Sequence, residues 1–250
     1  MATCIWLIGG TSDSRWLANN LLKAGYTCWV TVTTDEACTL YPPHPRLICH
    51  GERLTPDTAR QLVQQQQVQA IVDASHPFAT AISTLAMGLS RDLHLPYLRF
   101  ERPDYSLERP NCIDVETLIQ SHSLVGERVL LTIGSQLLAA FAPLQKSATL
   151  FARILPTPTA LNLALEAGFA RQQLVAIFPP VSRELERALW QHWQITTVVT
   201  KASGTESEQI KQELAQELGV TLITLQRPVI TYPQQTADWA GVVAFLEQLT

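Results

Sequence analysis

Cys4-Ile5-Trp6-Leu7-Ile8-Gly9-Gly10-Thr11-Ser12-Asp13-Ser14-Arg15-Trp16-Leu17-Ala18 is the stretch on which the fold turns. Five apolar residues predict a short buried strand, and two glycines predict a tight turn. The spacing from Asp13 to Lys23 predicts an amphipathic helix stopped by Gly25. In a strand–glycine–helix unit the backbone can approach a pyrophosphate, and the helix end offers N–H groups and a positive dipole. Gly9, Gly10, Thr11, Asp13 and Arg15 are therefore candidate dinucleotide contacts. The full G-x-G-x-x-G pattern is missing, so a plain βα turn competes, with Asp13 complementing the helix dipole.

Outward from this unit, short β-branched runs alternate with amphipathic segments. Strands are expected at 27–33, 47–49, 70–72 and 96–100, with helices starting at Thr55-Pro56 and spanning 78–91. The polar, proline-bearing stretch Glu101–Asn111 reads as a linker, and the alternation then resumes. Further strands are expected at 128–132, 149–153, 174–177, 195–200 and 221–225. Helices are expected near 135–141, 159–167, 182–192, 206–218 and 236–249. The fold class is α/β: two lobes, 1–105 and 106–250, with mainly parallel sheets and a cleft between them.

With 250 residues, 46% hydrophobic and 16% charged, the chain has ample material for such cores. A net charge of −4 argues against a general nucleic-acid binder, which needs a basic face. No apolar run approaches the roughly 20 residues that span a bilayer. Met1-Ala2-Thr3 leads straight into a strand, so a cytoplasmic protein is expected. The five cysteines form no C-x-x-C pair, and Cys4 and Cys28, inside apolar runs, read as buried thiols.

Three other features carry chemistry. Asp73-Ala74-Ser75-His76-Pro77-Phe78-Ala79 follows a strand at the edge where open α/β sheets bind ligands. There Ser75 and His76 suit a ribose or phosphate and Pro77 pre-sets a helical turn, although a histidine in this place also serves as a cap or packing residue. Lys201-Ala202-Ser203-Gly204-Thr205 is an anion-binding turn or, equally, a surface lysine beside a loop. Arg99, Arg102, Arg153 and Arg227 fall at or just past strand ends. Together they suit a polycarboxylate if they converge, and are separate solvated charges if they do not.

Other chemistries are excluded. No tyrosine is followed four residues later by lysine, as a short-chain dehydrogenase requires, and the glycine turn lacks a Walker lysine. The histidines show no metal-ligand spacing and no G-x-S-x-G elbow occurs, so no metal is expected.

Six blocks, in order from Ile8 to Pro228, resemble the precorrin-6A reductases, including the cobalt-precorrin-6A enzymes. G-G-T-S-D-S-R-W-L-A is similar to their glycine-rich opening, and D-A-S-H-P-F-A to their D-A-T-H-P-F-A. F-E-R-P-D-Y, L-L-T-I-G-S-Q-L-L-A-A-F, K-A-S-G and L-Q-R-P match the remaining blocks. Two departures are Pro179-Pro180-Val181, where the family often has Gly-Pro-Phe, and Thr205-Glu206-Ser207, which replaces a glycine-rich turn.

The resemblance implies two Rossmann-like lobes and a reductase of corrin (vitamin B12) biosynthesis, passing a hydride from NADPH or NADH to a macrocycle double bond. The implied ligand, precorrin-6A or its cobalt form, bears many carboxylates, which suits the arginines. Substrate contacts are expected from Arg99, Arg102, Tyr105, Gly134, Arg153, Lys201, Ser203, Gly204 and Arg227. Cofactor contacts are expected from the residues of the first turn with Thr33, Asp35, Ser75, His76 and Pro77. Asp35 stands near where a carboxylate meets the adenosine ribose and disfavours a 2′-phosphate; against this, Arg15 could pair with a 2′-phosphate, and Asp35 could simply cap the next helix. Enzymes of the family acting on the cobalt-free substrate commonly have an arginine segment there, which this chain lacks. No catalytic acid is identified. Another nicotinamide reductase of a polyacid and a non-catalytic nicotinamide sensor remain as alternatives.

Overall fold

A computed structural model describes residues 3–103 and 111–249. Two compact units emerge, Met1–Pro103 with Pro228–Thr250, and Asp104–Arg227. Each is built on a six-stranded parallel sheet.

In the first unit the strands are β1 (Cys4–Ile8), β2 (Thr27–Thr31), β3 (Leu47–His50), β4 (Val68–Asp73), β5 (Tyr97–Phe100) and β12 (Gln235–Thr236). They lie in the order β12-β5-β4-β1-β2-β3. Period-two alternation divides β1 between two cores. Ile5 and Leu7 pack with Leu17 and Leu21 of α1 (Ser12–Lys23) and with Val242 and Phe245 of α10 (Trp239–Glu247). Trp6 and Ile8 face the other way, against Ala59 and Val63 of α3 (Pro56–Gln65) and Ala86 and Leu89 of α4 (Thr80–Leu93). Full burial of each large apolar side chain stabilises by about 1.5–3 kcal/mol, so this two-faced pattern dictates helices on both sides of the sheet.

The second unit repeats the plan with β7 (Arg128–Leu131), β8 (Thr149–Ile154), β9 (Leu174–Ala176), β10 (Thr197–Lys201), β11 (Thr221–Leu225) and β6 (Cys112–Ile113), in the order β6-β11-β10-β7-β8-β9. Both orders have the doubly wound, Rossmann arrangement, with a switch point between β1 and β4 in one and between β7 and β10 in the other. The sixth strand of each sheet is exchanged. β6 follows β5 in the chain but joins the second sheet, and β12 follows β11 but joins the first.

That exchange corrects the expected division of the chain into 1–105 and 106–250. Residues 228–250 belong to the first unit, because Gln235 and Thr236 pair with Arg99 and Phe100 and α10 buries Phe245 and Leu246 on the first core. The helix expected from Phe78 begins at Thr80 instead, since the Ala79 N–H turns back to the His76 carbonyl at 2.7 Å. A disulfide that the spacing of the cysteines did not announce joins Cys38 to Cys49. Cys4 and Cys28 are buried free thiols, as expected. Among the described residues no helix is long and apolar enough to cross a membrane.

Candidate active site

The first switch point gathers the two motifs of the first unit. Thr11 caps α1, its hydroxyl accepting the Ser14 N–H at 3.0 Å while the Ser14 hydroxyl accepts the Thr11 N–H at 3.0 Å. The same Thr11 hydroxyl donates to the Ala74 carbonyl at 2.8 Å, tying the glycine turn to the loop after β4. Gly10 has φ of +99°, and among the described residues a Cβ built on it meets nothing within 4 Å. An open space thus lies over a helix N-terminus whose first N–H groups have no intrahelical acceptor, a cradle that fits a pyrophosphate. A Cβ at Gly9, in contrast, would run into the Tyr41 hydroxyl, so that glycine answers an internal need.

Around this cradle, Arg15 is exposed on α1 and Thr33 is exposed just past β2. Asp35 is the exposed first residue of α2 (Asp35–Cys38), whose cap is Thr34 rather than Asp35. Asp13 is held by Arg102, whose Nε donates to its carboxylate at 3.1 Å and whose Nη2 also pairs with it. Arg102, expected at the substrate, thus lies across the opening of α1.

Beyond β4, Asp73 is fully buried and its carboxylate collects four donors. Oδ1 accepts the Ser75 N–H at 3.0 Å and Arg99 Nη1 at 2.9 Å, and Oδ2 accepts Ser83 Oγ at 2.6 Å and Tyr97 OH at 2.7 Å. Burial, followed by the Asp73 charge, pushes the Tyr97 phenol well above its ordinary range, which keeps it a donor. Arg99 also gives Nη1 to Ser75 Oγ at 3.1 Å and Nε to Glu101 at 2.7 Å. Burial opposes its charge, but the Asp73 and Glu101 carboxylates more than offset it and raise its pKa.

Arg99 was expected to reach the substrate. At 0% exposure, enclosed by carboxylates and lying 5.2 Å from the Tyr232 ring centroid, it instead braces Ser75. The Phe78 N–H donates to His76 Nδ1 at 3.2 Å, which assigns the ring proton to Nε2. Pro77 lies in the turn between them.

The second switch point brings together the carboxyl ends of β7, β10 and β11. A Cβ at Gly134 (φ +77°) would sit 3.9 Å from Lys201 Nζ, and one at Gly204 would sit 3.3 Å from Arg227 Nη2. Arg227 Nε donates to the Ala202 carbonyl at 2.9 Å. Burial alone lowers Lys201 to a pKa of about 8.

The expected anion-binding turn is already filled from within. Ser203 N–H and Gly204 N–H both donate to Glu208 Oε2, at 2.9 and 2.8 Å, and Glu208 is 3% exposed. Arg153 is likewise engaged, pairing with the buried Glu186, which Lys211 approaches at 3.6 Å. Gly134, Lys201, Ser203, Gly204 and Arg227 therefore share one sheet edge, while Arg153 is committed to Glu186. Tyr105 lies outside the described residues. No group of three His, Cys, Asp or Glu suited to a metal occurs among the described residues.

Sequence reading missed Asp73, Tyr41 and Glu208. The one advance signal was Thr205-x-x-Glu208, a capping-box spacing, although here the glutamate reaches past Thr205 to the two preceding N–H groups.

Comparisons with known proteins agree with this architecture. The model of the family "Precorrin-6x reductase CbiJ/CobK" matches residues 4–247. A cobalt-precorrin-6A reductase of Synechocystis sp. is 45% identical, covering 98% of this chain and 96% of its own. A cobalt-precorrin-6A reductase of Priestia megaterium is 36% identical over 98% of this chain and 99% of its own. A precorrin-6A reductase of Mycobacterium tuberculosis is 29% identical over 91% and 90%. The solved structure of the CobK precorrin-6A reductase shares the fold, with a TM-score of 0.77 at 21% identity over 99% of this chain and 97% of that one. With a family match along nearly its whole length, and with both Rossmann sheets in place, the chain belongs to the precorrin-6x reductase CbiJ/CobK family.

Proposed function

We propose that this chain reduces cobalt-precorrin-6A to the corresponding 6B compound, the first switch point being suited to the dinucleotide and the sheet edge of the second unit to carboxylates of the macrocycle. The carrying observation is full-length similarity: the two relatives at 45% and 36% identity both bear the cobalt-precorrin-6A name. A bound reduced nicotinamide supplies the hydride, and a proton completes the neighbouring carbon.

The chain's own part is positioning. Open space at Gly10 and the opening of α1 suit the pyrophosphate, and the Thr11–Ala74 bond fixes the two loops as one surface. Asp73 and Arg99 hold Ser75 rigid beside them. Fixing reactants in register is worth about 7–11 kcal/mol in favourable cases, so a site without an evident acid or base still accelerates strongly. Lys201, Arg227 and Gly134 form the polar edge offered to the macrocycle's carboxylates. Asp35 at the end of β2 supports NADH over NADPH. We place the enzyme in the cytoplasm, with the cellular supply of reduced nicotinamide, where the Cys38–Cys49 disulfide stands against the reducing poise of that compartment.

Oxidation of reduced nicotinamide at 340 nm, with cobalt-precorrin-6A and precorrin-6A added separately, tests the reading. Turnover with the cobalt form at tenfold higher kcat/KM is expected. Turnover confined to the cobalt-free form reverses the substrate assignment, and dinucleotide binding without turnover of either means a sensor.

A further inference from the structure

Tyr41 has no place in the proposed chemistry, yet it touches the glycine turn at three points. Its hydroxyl accepts the Gly10 N–H at 2.9 Å and lies 2.7 Å from Ser14 Oγ. It also occupies the space that a Cβ at Gly9 would need. The direction of each bond follows by elimination. Ser14 Oγ donates its one proton to the Thr11 carbonyl at 2.8 Å, so the Tyr41 hydroxyl must donate to Ser14 Oγ and is left to accept from Gly10. Burial raises the phenol's pKa, consistent with a lasting donor. The turn thus has two faces, one packed against a phenol that is 6% exposed with its ring, the other open at Gly10.

What holds Tyr41 there is also in view. The Tyr41 N–H donates to the Cys38 carbonyl at 3.0 Å, and Cys38 is bonded covalently to Cys49 on β3. On the same segment, a Cβ at Gly51 would collide with the backbone of Asp35, so this loop is also seated tightly against the end of β3.

We propose that Tyr41 is a positioning residue for the dinucleotide, its hydroxyl setting the conformation of the Gly9–Gly10 turn and the Cys38–Cys49 disulfide holding the phenol in place. The inference rests on the reading of that turn as the pyrophosphate site. Tyr41 saturates the Gly10 N–H from behind, and so leaves the open face of the turn and the first N–H groups of α1 to the ligand. Removing the hydroxyl loosens the turn without touching the ligand, which raises the cost of ordering it on binding.

The test is fluorescence titration of the full chain with NADH and NADPH in the absence of corrinoid, paired with steady-state kinetics. Tyr41→Phe is expected to raise the Kd of both dinucleotides about 3–10-fold, the range of one lost hydrogen bond. The KM for the dinucleotide rises with it, while kcat and the KM for the corrinoid stay within twofold. Ser14→Ala, which removes the partner of the same hydroxyl and also the acceptor of the Thr11 N–H, gives a change in the same direction, and Cys49→Ser serves if Tyr41→Phe does not fold. Cys49→Ser weakens binding in the wild-type background and adds little in Tyr41→Phe, since both act on one element. Gly10→Ala, which projects a methyl into the open face, reports on the turn itself. If Gly10→Ala weakens binding and Tyr41→Phe and Ser14→Ala do not, the positioning role is overturned and the site stands. If none of the three changes Kd, the turn is not the pyrophosphate site and both fail. An equal effect of Cys49→Ser in both backgrounds overturns the tether.

Discussion

Arg99 Nη1 meets Asp73 Oδ1 at 2.9 Å with both side chains at 0% exposure, and the same Nη1 donates to Ser75 Oγ in the loop after β4. Two opposite charges removed from water depend on each other, and among the described residues Arg99 Nη2 has no hydrogen-bond partner. The carboxylate's other donors, Ser83 and Tyr97, come from α4 and β5, so the pair joins three elements at one sheet edge.

Arg99→Ala therefore strands a buried carboxylate, and a loss of about 3–5 kcal/mol is expected in urea unfolding. Asp73→Ala leaves the buried guanidinium to Glu101, which still meets its Nε at 2.7 Å, and should cost less than Arg99→Ala. The double variant should lose clearly less than the sum. Strict additivity would mean that the two charges do not depend on each other.

Glu208 closes the second-unit turn through the N–H groups of Ser203 and Gly204. Glu208→Ala leaves two backbone donors without their charged acceptor, and stability should fall by about 1–3 kcal/mol. Because the glutamate occupies the turn, substituting Ser203 by alanine should change corrinoid KM less than twofold. A tenfold rise would show that the turn opens to receive a substrate carboxylate.

The strands were legible because their residues carry a burial pattern: β1 is buried throughout, and its alternate residues face different helices. The Gly9–Gly10 turn was legible because only glycine tolerates the close approach at one position and the positive φ at the next. β6 and β12 were not legible, since two residues have no period and Gln235-Thr236 is polar. Their exchange between sheets is a long-range choice that no local window records. Arg99 was read as a substrate group because a strand end looks the same whether it opens to solvent or to a buried carboxylate 26 residues back in the chain. Tyr41, Glu208 and the Cys38–Cys49 bond share that character: each is defined by its partner in space.

Lys201, lowered to about 8 by burial, gives the site a pH signature. The folded state releases this proton near pH 8, whereas an exposed lysine keeps it to about 10.4. Between those values the unfolded chain binds more protons, so this group's contribution makes stability rise with pH through that window. Affinity for a polycarboxylate runs the other way, falling as pH climbs past 8 and the positive charge is lost. The KM for corrinoid, followed from pH 6.5 to 9.5, should rise in the wild type above pH 8. Lys201→Met should flatten that rise and Lys201→Arg should move it out of range. A wild-type profile identical to that of Lys201→Met would remove Lys201 from the substrate site.

The proposed preference for NADH rests on Asp35. Because Thr34 provides the cap of α2 by accepting the Ala37 N–H at 3.3 Å, the Asp35 carboxylate is not consumed in capping and stays exposed at the end of β2. In a doubly wound sheet this is where the adenosine ribose is read, and a carboxylate there accepts from a 2′-OH and repels a 2′-phosphate. Arg15, exposed on α1, works in the opposite sense if it reaches the phosphate. Asp35→Ala should therefore raise the NADPH:NADH ratio of kcat/KM, by about fivefold if the repulsion is worth the ~1 kcal/mol of an exposed charge pair. Arg15→Ala should lower it. The repulsive part should shrink as salt is raised from 20 to 500 mM, because screening shortens the reach of exposed charges from roughly 20 Å to a few ångströms. Steady-state ratios in both variants at both salt concentrations decide the matter: a ratio unmoved by Asp35→Ala at low salt places this carboxylate away from the ribose.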